Sequence, residues 1–492
     1  MRELQLQLIN DRSTARRFQL LALIEREQFV TTQYAATQLG VSQRTILSDI
    51  QMLKDHFGES AEFNASNTGY QFIELDITEY NQKKLTLLDN EPLYEIISNI
   101  FYGELDTLED TANYLNYSPG SLRRILQSAQ SVLRQYGLIL QMNPIQIIGE
   151  EIAIRKFFFD FYYEGSQTPH TLHPPKGFQE LFLQQLSEES NSIELDTAVG
   201  IASFYYRIYI AFERYRQGFR VTLSESLETI ICKENDFERL FSFISTLGNS
   251  YDYTLSKTEV AVIHYDILTQ RAVRSIDSEI LFYERFGIFS EIETIANHYV
   301  NSLTDSSWDQ SKLLIFYKSF FLSIKIKEAI SPILNKTMSD KIKSIRSHQT
   351  NAFYQNLAFV EDYAEQLQLS TKYQEDVATS LTIFADLLSH VYAAKKRIYF
   401  ILEGDSLTRQ SIIYKATQFF GKQHHLKFIT IWDLSKERLL EASIDLIVTN
   451  YSPYITDYVA TTPYVLINTV PKAKDWQTIC ILLGLDPSYF FT

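Results

Sequence analysis

The sequence predicts a mainly α-helical, multidomain chain. It places two winged helix-turn-helix units first, two helical bundles next and a small α/β unit last. Three observations point there. A turn-and-helix pattern around Ser42 recurs about 76 residues later around Ser118. Only 16 glycines and 11 prolines in 492 residues favour long helices over many short strands. The last hundred residues alternate short apolar runs with helical stretches.

A length of 492 residues exceeds one core and points to about three to five domains. Hydrophobic content of 45%, with 33 Phe and 31 Tyr, is ample for packed interiors. Cys232 and Cys480 are too few for a disulfide framework or a Cys-type zinc site, and a reducing cytoplasm fits them. "MRELQLQLIN" lacks the apolar core of a signal peptide. No run approaches the ~18 uncharged apolar residues of a membrane span. The nearest candidate, "IASFYYRIYIAF", is broken by Arg207. A net charge of −15 argues against nonspecific coating of DNA but leaves room for a local basic face.

The first unit is expected over residues 1–78. "STARRFQLLALIER" spaces Phe18, Leu21 and Ile24 as one helix face. "TTQYAATQLG" is a short second helix with Ala36 and Leu39 inward. Gly40-Val41 turns the chain, and Ser42 caps a third helix. There Ile46, Ile50, Leu53 and Phe57 form one apolar stripe. The opposite face presents Arg44, Ser48 and Gln51, with Gln43, Thr45 and Leu47 on its flanks. Such a helix, held by its buried stripe, brings short polar and Arg side chains to base edges in the major groove. "AEFNASNTGYQFI" then reads as two strands of a wing.

The second unit, residues 79–160, repeats the layout. Leu108, Ala112 and Leu115 take the places of Thr32, Ala36 and Leu39. Ser118 is the cap, and Pro119 suits the first helical position. Leu122, Leu126, Ala129 and Leu133 form the stripe. Ser121, Arg123, Arg124, Gln127, Ser131 and Arg134 form the candidate DNA face, and no Asp or Glu occurs between Ser118 and Pro144. A second hairpin follows at Asn143-Pro144. One such pattern alone is weak evidence, because three-helix bundles with surface Arg are common; two in register, each with a wing, carry more weight.

Residues 161–282 and 283–394 are expected to be two related helical bundles. Aromatic-rich helices at Ala198–Leu223 and Ser311–Leu334 mark corresponding places. "TPHTLHPPKGF" reads as a plain connector, since His170 and His173 lack a third metal ligand. Residues 395–492 read as the α/β unit. Its strands are Ile398–Leu402, "KFITIW", "DLIVTN" and "YVLINT", with helices at "LTRQSIIYKATQFFG", "LSKERLLEA" and "KDWQTICILLGL". The loop beyond its first strand, Glu403-Gly404-Asp405-Ser406, holds no Cys or His, and Asp405 and Ser406 suit a turn and helix cap.

This order of parts resembles the Mga/AtxA family of transcriptional regulators of Gram-positive bacteria, most closely in "VSQRTILSDIQML" and "YSPGSLRRILQSAQSVL". The resemblance implies that the bundles are PTS regulatory domains (PRDs), targets of histidine phosphorylation by the sugar phosphotransferase system. It implies a final unit similar to that system's enzyme IIB. It also implies an activator of transcription that binds double-stranded promoter DNA as a dimer or larger homo-oligomer and meets phosphotransferase proteins such as HPr, with no enzymatic activity and no cofactor. Two departures stand out. In "RIYIAFERYRQG", Arg214 and Gly218 fit the PRD pattern, but Arg207 occupies the histidine position, and the comparable place near Tyr317 also lacks His. The IIB-like loop lacks its phosphate carrier. His264 and His390, both on apolar helices, are then the phosphorylation candidates, with buried structural histidines as the plainer reading. Arg207 is expected either to hold a carboxylate or small anion or to extend into solvent. An active phosphotransferase component and an RNA-binding antiterminator are the rival readings. The missing Cys speaks against the first, and the helix-turn-helix start against the second.

Overall fold

The computed structural model describes residues 2–66, 69–104, 106–166, 168–189, 200–249, 253–273, 275–303, 309–392, 395–421, 424–429, 435, 443–458 and 462–483. Its first helix, α1 (Glu3–Gln7), lies in a stretch from which the sequence yields no element. Gln5 is buried there, and its amide donates to the carbonyls of Phe161 (3.0 Å) and Ser166 (2.8 Å). These bonds satisfy a polar group that burial alone would penalise.

α2 (Arg12–Glu27), α3 (Thr32–Leu39) and α4 (Gln43–Phe57) form the first helical trio. Phe18, Leu21, Ile24, Ala36, Ile46, Ile50, Leu53 and Phe57 are all buried between them. Strands β1 (Phe29–Val30), β2 (Ala61–Ala65) and β3 (Tyr70–Glu74) pair antiparallel in the order β1-β3-β2. The pair β2–β3 is the expected wing. β1 is an addition too short to show any alternation in sequence.

α5 (Ile77–Thr86) and α6 (Pro92–Tyr102) lead into the second trio. It contains α7 (Leu108–Tyr114), α8 (Pro119–Gln135) and the antiparallel hairpin β4 (Ile139–Met142) and β5 (Ile145–Ile148). Its Asn143–Pro144 bond is cis. The turns before α4 and α8 match: Gly40 has φ +65° and Asn116, 76 residues on, has φ +58°. Asn is one of the few side-chain-bearing residues that tolerates this left-handed conformation.

The middle is helical. α9 (Glu151–Tyr162), α10 (Lys176–Glu189), α11 (Ile201–Arg216), α12 (Glu225–Ile231), α13 (Asn235–Asn249) and α14 (Lys257–Leu268) come first. α15 (Ile276–Phe286), α16 (Glu291–Ser302), α17 (Gln310–Ile330), a 3₁₀ turn at Pro332–Asn335, α18 (Ser339–His348), α19 (Thr350–Asp362), α20 (Ala364–Leu367) and α21 (Gln374–Tyr392) follow. Phe316, Tyr317, Phe320, Phe321, Leu322 and Ile324 of α17 are all buried, the pattern of a helix enclosed on every side. Arg214, 2% exposed, gives "FERYRQG" a structural role. Its guanidinium makes a two-bonded pair with Glu151 (2.9 and 2.8 Å) and lies 3.8 Å from the centre of the Phe219 ring. Arg155 links the same Glu151 to Glu259, whose carboxylate also receives the backbone N–H of Val221. A buried ion network persists when its remaining hydrogen-bonding positions are filled, as here.

The chain divides into two compact units, residues 1–302 with 314–385, and residues 303–313 with 386–492. The second contains a parallel sheet of β6 (Arg397–Ile401), β7 (His425–Ile429), β8 (Leu446–Thr449) and β9 (Tyr464–Leu466), in the order β7-β6-β8-β9. β8 is buried at all four positions, as expected for a strand covered on both faces. α22 (Ser406–Phe420) and α24 (Ala473–Leu483) supply Ile412, Phe420, Trp476 and Ile479 to the same core. α23 (Ser452–Tyr458) was not legible in the sequence, and the expected helix "LSKERLLEA" lies outside the described residues. Among the described residues no helix is long and apolar enough to cross a membrane. Nor does any group of three His, Cys, Asp or Glu side chains converge there as a metal site.

Candidate DNA-binding surface

Each candidate reading helix is positioned by a capped N-terminus and a buried stripe. The Ser42 hydroxyl accepts a hydrogen bond from Thr45 N, and the Ser118 hydroxyl accepts one from Ser121 N (3.1 Å). These caps satisfy amides that the helix cannot pair internally. Below each cap the stripe is buried: Ile46, Ile50, Leu53 and Phe57 in α4, and Leu122, Leu126, Ala129 and Leu133 in α8. The opposite faces are consequently forced outward.

On α4, Gln43, Arg44, Leu47, Ser48 and Gln51 are exposed and Thr45 is half-buried. Gln43 bonds the Gln33 side chain, and Gln51 donates to Asp55 (2.8 Å). On α8, Arg123, Arg124, Gln127, Ser131 and Arg134 are exposed, with Ser121 half-buried at the first turn. Arg124 Nε reaches back toward the Gly120 carbonyl at 3.4 Å, and nothing lies within 4 Å of a Cβ placed on Gly120. The face is open, cationic and free of acids over the whole of α8.

Sequence reasoning passed over Asp49. It sits in the middle of α4, where a carboxylate would repel DNA. The structure turns it inward, 2% exposed, and pairs it with Arg16 (2.5 and 3.0 Å) and Arg17 (3.5 Å) of α2. The acid therefore anchors α2 to α4. The signal was present in "STARRF", a basic pair one helix away from an acid on a reading helix.

The remaining candidates fall elsewhere. His264 is 4% exposed, stacked near Phe237, and its Nδ1 has no hydrogen-bond partner among the described residues. Burial pushes its imidazole down to about 3, so the ring is neutral and enclosed, not presented to a phosphoryl donor. His390 lies on α21. Arg207 does not extend into solvent. It pairs with Asp266 of α14 and lies 4.1 Å from the centre of the Phe159 ring, which makes it a fixed ion pair between helices. His170 packs against Tyr94 in the connector. In the α/β unit Asp405 caps α22, accepting from Leu407 N and Thr408 N (both 3.0 Å). These bonds and the Thr408 hydroxyl hold its carboxyl below the usual range.

Residues 78–162 match the Mga helix-turn-helix domain, the segment that carries α8 and its hairpin. Over nearly the full chain the sequence is similar to two Bacillus anthracis proteins. It is 20% identical to the capsule synthesis positive regulator AcpB over 493 residues, covering 97% of this chain and 99% of that one. It is 23% identical to the capsule synthesis positive regulator AcpA over 492 residues, 95% of each. A protein of Bacillus subtilis described as a probable licABCH operon regulator is 23% identical over 279 residues, 52% of this chain and 44% of its own length. The chain is thus similar to the Mga helix-turn-helix domain over residues 78–162 and, over nearly its full length, to two capsule synthesis positive regulators.

Proposed function

We propose that this chain is a transcriptional activator that reads double-stranded promoter DNA with α4 and α8. One observation carries the reading: the exposed face of α8 presents Arg123, Arg124, Gln127 and Arg134 with no acid, on a helix held by a capped N-terminus and a buried stripe. Arg and Gln side chains on such a helix match the donor and acceptor pattern of base edges, and the surplus charge meets phosphate. The net charge of −15 over the whole chain limits nonspecific attachment. In this account residues 1–78 and 79–160 are the DNA heads, and 161–282 and 283–394 are PRD-like regulatory bundles. Residues 395–492 serve as an enzyme IIB-like assembly module without phosphotransfer. The working form is a homo-oligomer whose paired heads meet half-sites about 34–36 Å apart or multiples of that distance. Control by phosphotransferase proteins such as HPr would act through His264 or His390, and at His264 it requires the first bundle to open. Genome-wide occupancy with and without a metabolisable sugar, followed by gel shifts on the recovered sites, tests the reading. Duplex DNA retarded in preference to hairpin RNA is expected. Equal retardation of both would return the antiterminator reading.

A further inference from the structure

In the first compact unit, α9, α11, α14 and the Pro332–Asn335 turn line a pocket of about 500 Å³, open solvent at its mouth included. Its walls are apolar, with Ile152, Ile210, Val262 and Leu334 among them, and its charged lining is Arg155, Lys156, Arg207 and Asp266. The three cations are held in place by carboxylates: Arg155 by Glu151 and Glu259, Lys156 by Asp160, Arg207 by Asp266. Lys327 of α17 adds a further positive charge nearby, with no ion-pair partner among the described residues. Burial pushes it down to about 8; Asp266 favours its charge, while Arg207, Lys156 and Lys341 oppose it. The pocket also connects to the reading helix through two hydrogen-bonded steps. Lys156 Nζ holds Asp160 (2.5 and 2.6 Å), and Asp160 accepts the hydroxyl of Tyr136 at 2.9 Å. Tyr136 is the residue that ends α8.

We propose that this pocket binds a small organic anion, its apolar body against Ile210 and Val262 and its anionic head against Lys156 and Arg207, and that occupancy shifts the end of α8 through Asp160 and Tyr136. A bound anion competes with Asp160 for Lys156 and so changes the support under Tyr136. The binding half stands on the pocket alone; the effect on DNA rests on the proposed reading of α8.

The test titrates the full chain calorimetrically with phenyl phosphate, benzoate and the uncharged benzyl alcohol. Either anion is expected to bind at least about tenfold more tightly than the alcohol. Arg207→Gln should weaken anion binding by about tenfold or more. Val262→Phe, which fills the pocket without changing charge, should abolish it, with thermal melts confirming that both variants fold. Equal binding of anion and alcohol, or anion binding unchanged in both variants, overturns the site, as does no heat up to about 10 mM. For the coupling, saturating phenyl phosphate should change duplex affinity about threefold or more in the wild type but not in Tyr136→Phe, which keeps the pocket. Anion binding with no change in duplex affinity overturns the coupling. A chain that binds the anion but no DNA in any form overturns the DNA reading and leaves the site standing.

Discussion

Asp49 shows how far one residue's role depends on its direction. A helix places successive side chains about 100° apart, so a carboxylate one position from the exposed face can lie in the core. There it joins α2 to α4 through Arg16 and Arg17, which remain about one-fifth exposed. Asp49→Ala leaves two guanidinium groups without their partner and should lower stability by about 1–3 kcal/mol, below the cost of a fully buried pair because water reaches both arginines. Urea unfolding of the wild type and variant checks this, and equal midpoints would show the pair to be incidental. His264 carries a pH prediction. Its imidazole ordinarily titrates near 6.5 and is pushed down to about 3 by burial. The unfolded chain therefore binds a proton that the folded chain refuses, and stability is lost as pH falls from about 6.5 toward 3. His264→Phe, whose ring suits the apolar space beside Phe237, should flatten that part of the acid limb of urea midpoint against pH. An unaltered limb would mean that His264 is reached by water.

At the scale of elements, what is written locally was legible. Ser42 and Ser118 announce α4 and α8 because a cap acts within three residues, and the stripes follow because helical period is a property of the sequence itself. Ser118→Ala should cost about 1 kcal/mol through loss of the cap bond and weaken DNA binding by loosening the first turn of α8. Circular-dichroism melts paired with gel shifts measure both, and a variant with wild-type stability would show Pro119 to suffice. Other elements depend on partners far along the chain and left no local mark. α1 is tied down by Gln5 to carbonyls more than 150 residues away. β1 exists because β3 offers it an edge. The candidate DNA faces could be read from the sequence because exposure follows from the buried stripe. The inward turn of Asp49, and the link from Tyr136 through Asp160 to Lys156, needed tertiary structure.

For the whole molecule, the formal charge of −15 and the cationic face of α8 are compatible because α8 itself carries arginines and no Asp or Glu. The α/β unit has a core of its own, from Ile398 and Val448 to Trp476, and Asp405 caps the helix that follows its first strand. Its proposed use is assembly. A chain ending at residue 394 should keep its helical signal and show fewer copies per particle by light scattering, and an unchanged number of copies would count against the assembly role. The central claim is that α8 docks duplex DNA, and fluorescence anisotropy on a recovered promoter site, read at several salt concentrations, tests it most directly. Arg123→Ala/Arg124→Ala should weaken binding by about 1–3 kcal/mol where an arginine reads a base edge. Where an arginine instead neutralises a phosphate, the slope of log affinity against log salt should shrink by about one for each. Affinity and slope both equal to the wild type would contradict the account.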